Sequence, residues 1–129
     1  MSGLSRDIFS NIPKKDYLSL FAKREAYPHK VVDFVGFKKE EVSQATGVPS
    51  NSIRYDDRMP QILKDRLREL ATLFNLVAQF FEGDAEKTAL WFKTPNPILG
   101  NISPRDMIRF GRYKKLLKFI LNAISENQP

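Results

Sequence analysis

The sequence has no cysteine and a single histidine, His29. Disulfides, thiol catalysis and Cys/His zinc sites are therefore excluded, and a reducing cytoplasm is the expected compartment. No motif supports a carboxylate-only metal cluster, so no metal or cofactor is expected, and no serine nucleophile or paired acid is placed with His29. No apolar run is long enough to span a membrane, and the N-terminus lacks a signal-peptide core. Acidic residues are in the minority, 15 against 21 lysines and arginines, for a net charge of +6. That excess favours a polyanionic partner, nucleic acid first. The 129 residues, 42% hydrophobic with ten phenylalanines, suit one compact domain or two small ones sharing a core.

What is present is helical periodicity broken by proline and glycine. From Gln61 to Phe81, Leu63, Leu67, Leu70, Ala71, Phe74, Val77, Ala78 and Phe81 fall on one stripe. This is the expected spine, followed by a break at Gly83-Asp84 and more helix from Ala85 to Lys93. Residues 1–12 read as a short amphipathic helix or an arm. Tyr17 to Phe21 has short helical spacing, and His29 to Val35 reads as a helix ended by Gly36. Arg112 to Ser125 is the last helix. Leu116, Leu117, Ile120, Leu121 and Ile124 lie on one of its faces, with Arg112, Lys114, Lys115 and Lys118 elsewhere.

Lys38 to Ala45 predicts a helix, Thr46-Gly47-Val48 a tight turn, and Pro49 to Tyr55 a second helix. This is helix-turn-helix spacing. Ser50, Asn51, Ser52, Arg54 and Tyr55 of that second helix are the candidate DNA-binding residues, short polar groups with one arginine suited to base edges and phosphates. Asp56 and Asp57 oppose DNA, so the face ends near Tyr55.

The most specific stretch is Trp91-Phe92-Lys93-Thr94-Pro95-Asn96-Pro97-Ile98-Leu99-Gly100-Asn101-Ile102-Ser103-Pro104. Each proline pushes the residue before it out of the helix. Ser103 is a candidate N-cap, Pro104 suits the first helical position and Asp106 sits where a capping-box acid would be. By physics alone this is a corner that packs Trp91 and Leu99 into a core, or else a binding epitope. Trp91, Phe92, Thr94, Pro95, Asn96, Pro97, Leu99, Gly100, Ser103 and Pro104 resemble the W-L/F-x-T-P-N-P-x-L-G-G-x-[ST]-P signature of the Xre/MbcA/ParS-type antitoxins, partners of RES-domain toxins that destroy NAD. Asn101 stands in place of the usual second glycine. With the upstream helices the resemblance covers roughly residues 31–125.

The resemblance implies an all-α fold. A helix-turn-helix DNA-binding unit (1–58, turn near 46–48) would precede a helical toxin-binding and dimerisation unit (59–129). It further implies a homodimer that neutralises a RES-domain toxin and represses its own operon by binding operator DNA. In the family the extreme C-terminus, here Glu126, Asn127, Gln128 and Pro129, reaches towards the toxin's NAD site, although this tail lacks the R-I-x-x-G-V-like ending of many relatives. The alternative is a stand-alone helix-turn-helix regulator whose C-terminal half only dimerises. An enzyme is not expected.

Overall fold

Helix dominates the computed structural model, which describes residues 15–126. Among these, six α-helices follow one another: α1 (Pro28–Val35), α2 (Lys39–Thr46), α3 (Gln61–Ala78), α4 (Ala85–Lys93), α5 (Pro104–Arg109) and α6 (Tyr113–Glu126). A small antiparallel ribbon precedes them, β1 (Phe21–Ala22) with β2 (Glu25–Ala26), pairing Phe21 with Ala26 and Ala22 with Glu25. The reading of residues 1–12 and the tail residues Asn127, Gln128 and Pro129 lie outside the described residues.

Helix α3 is the spine. Its first half buries one stripe, Leu63, Leu67 and Leu70, while every residue from Leu73 to Ala78 is buried. A helix hydrophobic on all sides must be covered on all sides. Here α1, α2, α4, α6 and the ribbon all pack against it. Phe34 of α1 and Phe92 of α4 meet Phe74 of α3 at ring-centroid distances of 4.9 and 5.1 Å, the second edge-to-face. Such aromatic pairs add to the burial of their area. One buried cluster runs from Leu20 to Ile120, so the two expected units share a core.

The polar exception in this helix is Asn75, 6% exposed. Its Oδ1 accepts from the Leu18 N–H at 2.9 Å and its Nδ2 donates to Asp16 at 3.0 Å. The Asp16 carboxylate also accepts the N–H groups of Leu20 and Phe21. These bonds correct the helix expected over Tyr17–Phe21. Side chains take the backbone donors there, and Ser19 turns the chain at φ 56°, outside helical geometry. The segment is a turn leading into the ribbon.

Arg105, in the first turn of α5, ties the two halves together. Helix α1 ends at Gly36 in left-handed geometry, leaving carbonyls without helical partners. The Arg105 guanidinium donates to the Val35 and Gly36 carbonyls, lies over the Phe37 ring at 4.9 Å and approaches Glu41 at 3.4 Å. Arg105→Ala is expected to lower stability by about 1.5–3 kcal/mol, as for loss of charge-assisted hydrogen bonds. Urea unfolding at neutral pH checks this, and a loss under about 0.5 kcal/mol would remove Arg105 from the account. At the other end of the core, the Tyr113 hydroxyl of α6 donates to Glu69 of α3 at 2.6 Å. Burial, helped by that carboxylate, pushes the Tyr113 pKa up.

Candidate functional site

The proline stretch folds as a turn closed on one residue. Helix α4 starts at Asp84, whose side chain accepts the Lys87 N–H at 3.0 Å, and it stops at Lys93 because Thr94 is extended before Pro95. The Thr94 hydroxyl donates to the Leu90 carbonyl at 2.6 Å, which satisfies the helix's last turn. Asn96, also extended before a proline, then makes four bonds. Its side chain accepts the Ile98 N–H, its carbonyl accepts those of Leu99 and Asn101, and its own N–H donates to Ile102 O, all at 3.0 Å. Pro97–Leu99 forms one 3-10 turn.

Gly100 and Asn101 both take positive φ, 78° and 66°. Asparagine enters that region more readily than most side chains, so it can replace the second glycine without undoing the turn. Beyond it, Ser103 caps α5 by accepting the Asp106 N–H at 3.0 Å, and Pro104 occupies the first helical position. The Asp106 carboxylate accepts from Arg109 Nε at 3.1 Å.

This architecture divides the motif. Phe92, Ser103 and Pro104 are buried, Trp91, Asn96 and Leu99 are partly buried, and Thr94, Pro95, Pro97 and Gly100 are exposed. Trp91 stands edge-on to Phe92, 5.0 Å between centroids. The two most exposed large apolar side chains among the described residues lie here: Ile98, 77% exposed, on the turn, and Leu90, 65% exposed, in the last turn of α4. Neither is marked by the sequence motif, although the position of Leu90 is legible. Thr88 and Phe92, one helical turn apart, are the buried residues of α4, and Leu90 sits between them on the opposite face.

The expected DNA face is only partly built. Helix α2 forms as expected, and Gly47 makes the turn at φ 78°. The Ser43 hydroxyl donates to Val48 O at 2.6 Å and the Thr46 hydroxyl accepts the Val48 N–H at 3.2 Å, which fixes the turn. At the start of α2, Lys38 provides no side-chain cap, but Glu41 accepts its N–H at 2.9 Å. The second helix, expected over Pro49–Tyr55, is corrected to a single 3-10 turn, Ser50–Ser52. Pro49 is extended at ψ 141°, and Ser-Asn-Ser favours local side-chain bonding over helix. Ile53 is extended and 8% exposed, which draws the chain into the core.

Ser50, Asn51 and Arg54 are exposed, with Ser52 and Tyr55 partly buried. Tyr55 packs edge-on against His29, 4.9 Å between ring centroids. The Arg54 guanidinium is forked onto Asp56, through Nε at 2.8 Å and Nη2 at 2.5 Å. This pairing holds the Asp56 carboxyl below its usual pKa and raises that of Arg54. This pair occupies the Nε/Nη2 edge of the arginine and is exposed on both sides.

Among the described residues no group of three or more His, Asp or Glu could hold a metal, and no helix is long and apolar enough to cross a membrane. No family model, no curated protein and no solved structure matches the chain.

Proposed function

We propose that the chain is a binding protein of the antitoxin type, which docks on and neutralises a RES-domain toxin through its proline turn. The observation that carries this reading is a turn closed by four bonds to Asn96 that holds Ile98 77% exposed. An apolar anchor on a pre-ordered loop loses little conformational freedom on binding and suits the centre of an interface. The resemblance supplies the toxin class and the homodimer. Sedimentation equilibrium tests the dimer and should give a mass near twice 14.9 kDa. Glu126, the described part of the proposed inhibitory tail, is exposed at the end of α6. Co-purification with an NAD-consuming partner tests the toxin claim.

Operator binding and repression of its own operon go with this reading, and they are all that remains in the alternative, a stand-alone transcription regulator whose C-terminal half only dimerises. The net charge of +6 and the turn after α2 favour it. It lacks a helix over residues 49–55 to lie in a major groove, the usual reading element of this motif. With its guanidinium held by Asp56, Arg54→Ala is expected to change operator affinity by less than about twofold in a gel shift at fixed salt, where loss of a base-reading arginine costs about 1–3 kcal/mol. A weakening of about tenfold or more would return Arg54 to base reading.

A further inference from the structure

Residues 107–125 contain Arg109, Arg112, Lys114, Lys115 and Lys118 and no acid. Helix α6 buries Tyr113, Leu116, Leu117 and Ile120, and leaves Lys114, Lys115 and Lys118 exposed. Lys118 lies four residues after Lys114 and three after Lys115, so the three ammonium groups share one face. Among the described residues none of them, nor Arg112, is in an ion pair. Arg112, Lys114 and Lys115 also sit at the N-terminal end of the helix, where the dipole disfavours cations, and the first turn has no acid to offset them. Carboxylates there would stabilise the helix. Bound anions would relieve both the mutual repulsion and the dipole.

A second feature adjoins this row. Phe110, just before the α5–α6 corner, is 52% exposed, and the Arg109 guanidinium lies over its ring at 4.3 Å. The corner is held in place: Gly111 turns at φ 79°, and a Cβ there would stand 3.4 Å from the Gln44 carbonyl oxygen of α2. An exposed ring backed by a cation and followed by a row of cations combines stacking with backbone neutralisation, the two components of single-strand recognition.

We propose that the α5–α6 corner and the exposed face of α6 bind single-stranded nucleic acid, with a base stacked on Phe110 and phosphates along Arg112, Lys114, Lys115 and Lys118. A duplex is disfavoured, since its bases are already stacked and offer the ring nothing. Insertion into an anionic lipid surface would need the apolar face of α6, which is committed to the core at Leu116, Leu117 and Ile120. None of these residues belongs to the proline turn, so this inference stands apart from the toxin reading.

Fluorescence anisotropy with the full chain tests it, using labelled oligothymidylate of about 20 nucleotides and a duplex of about the same length, at about 50 and 200 mM salt. The single strand should bind more tightly than the duplex and weaken as salt rises. Combined Lys114→Ala, Lys115→Ala and Lys118→Ala should weaken binding at least about tenfold and flatten the salt slope by about 2, since each single-strand phosphate contact contributes about 0.7. Phe110→Ala should weaken single-strand binding about fivefold or more and leave the salt slope unchanged. All four side chains are exposed, so melting temperatures should not fall, and removal of like charges at the start of α6 should raise that of the triple variant. Absent binding at the lower salt, equal or tighter duplex binding, or a triple variant that binds like the unsubstituted chain would overturn the proposal. So would displacement of the oligonucleotide by polyglutamate at equal charge concentration, which would assign the face to an acidic protein.

Discussion

Phe92→Ala is expected to cost about 3–5 kcal/mol of folding stability, a large part of the ~5–15 kcal/mol that a domain has in total. Phe92 is 0% exposed and meets Phe74 at 5.1 Å, Phe34 at 6.1 Å and Trp91 at 5.0 Å. Its removal would leave a cavity where α1, α3 and α4 meet, with rigid ring neighbours poorly able to close it. Phe92 belongs to the proline signature by sequence, yet its position makes it the pillar on which the turn stands. Urea unfolding checks this, and a loss below about 1.5 kcal/mol would mean that the aromatic cluster does not support α4 as described.

Ile98→Asp is expected to do the reverse, leaving stability within about 0.5 kcal/mol and weakening binding to the proposed toxin by at least about 2 kcal/mol, or roughly thirtyfold. At 77% exposure Ile98 contributes little to the core, and a carboxylate there meets water in the free protein. In a complex the same carboxylate would be desolvated without a partner. Thermal melting and titration of toxin inhibition separate the two effects. A large drop in melting temperature would make Ile98 structural, while full inhibition by the variant would move the docking surface away from the turn. Leu90→Asp, 65% exposed at the end of α4, should behave in the same way with a smaller effect.

Much of this architecture was legible because it rests on local rules. The stripe of α3, the stops at Gly36 and Gly47, and the Ser103–Pro104 start of α5 follow from periodicity and capping. Residues 49–55 departed from expectation because two local preferences competed. A proline ahead of a polar run permits a helix start, but Ser-Asn-Ser has low helix preference and Ile53 gains more by burial than by helical continuation. The segment after Asp16 departs from expectation for a reason that is partly local, the Asp16 carboxylate, and partly not. The Leu18 N–H goes to Asn75 Oδ1, 57 residues away, which removes a donor that a helix there would need. Arg105 posed the same problem, because the Val35 carbonyl it caps lies 70 residues upstream. In the site itself, spacing could indicate which motif residues end helices. It could not show that Phe92 would face the core while Ile98, in the same signature, would be left in solvent.

The central claim is most directly tested by NAD consumption. The tagged chain would be used as bait in lysate of its own host, the retained partner released and purified, and its turnover of NAD followed as the free chain is added back. The account predicts a partner that consumes NAD when free, stops at a fixed stoichiometry of added chain, and is not stopped by the Ile98→Asp variant. Retention of no NAD-consuming protein, or NAD loss that continues undiminished under excess chain, would contradict it.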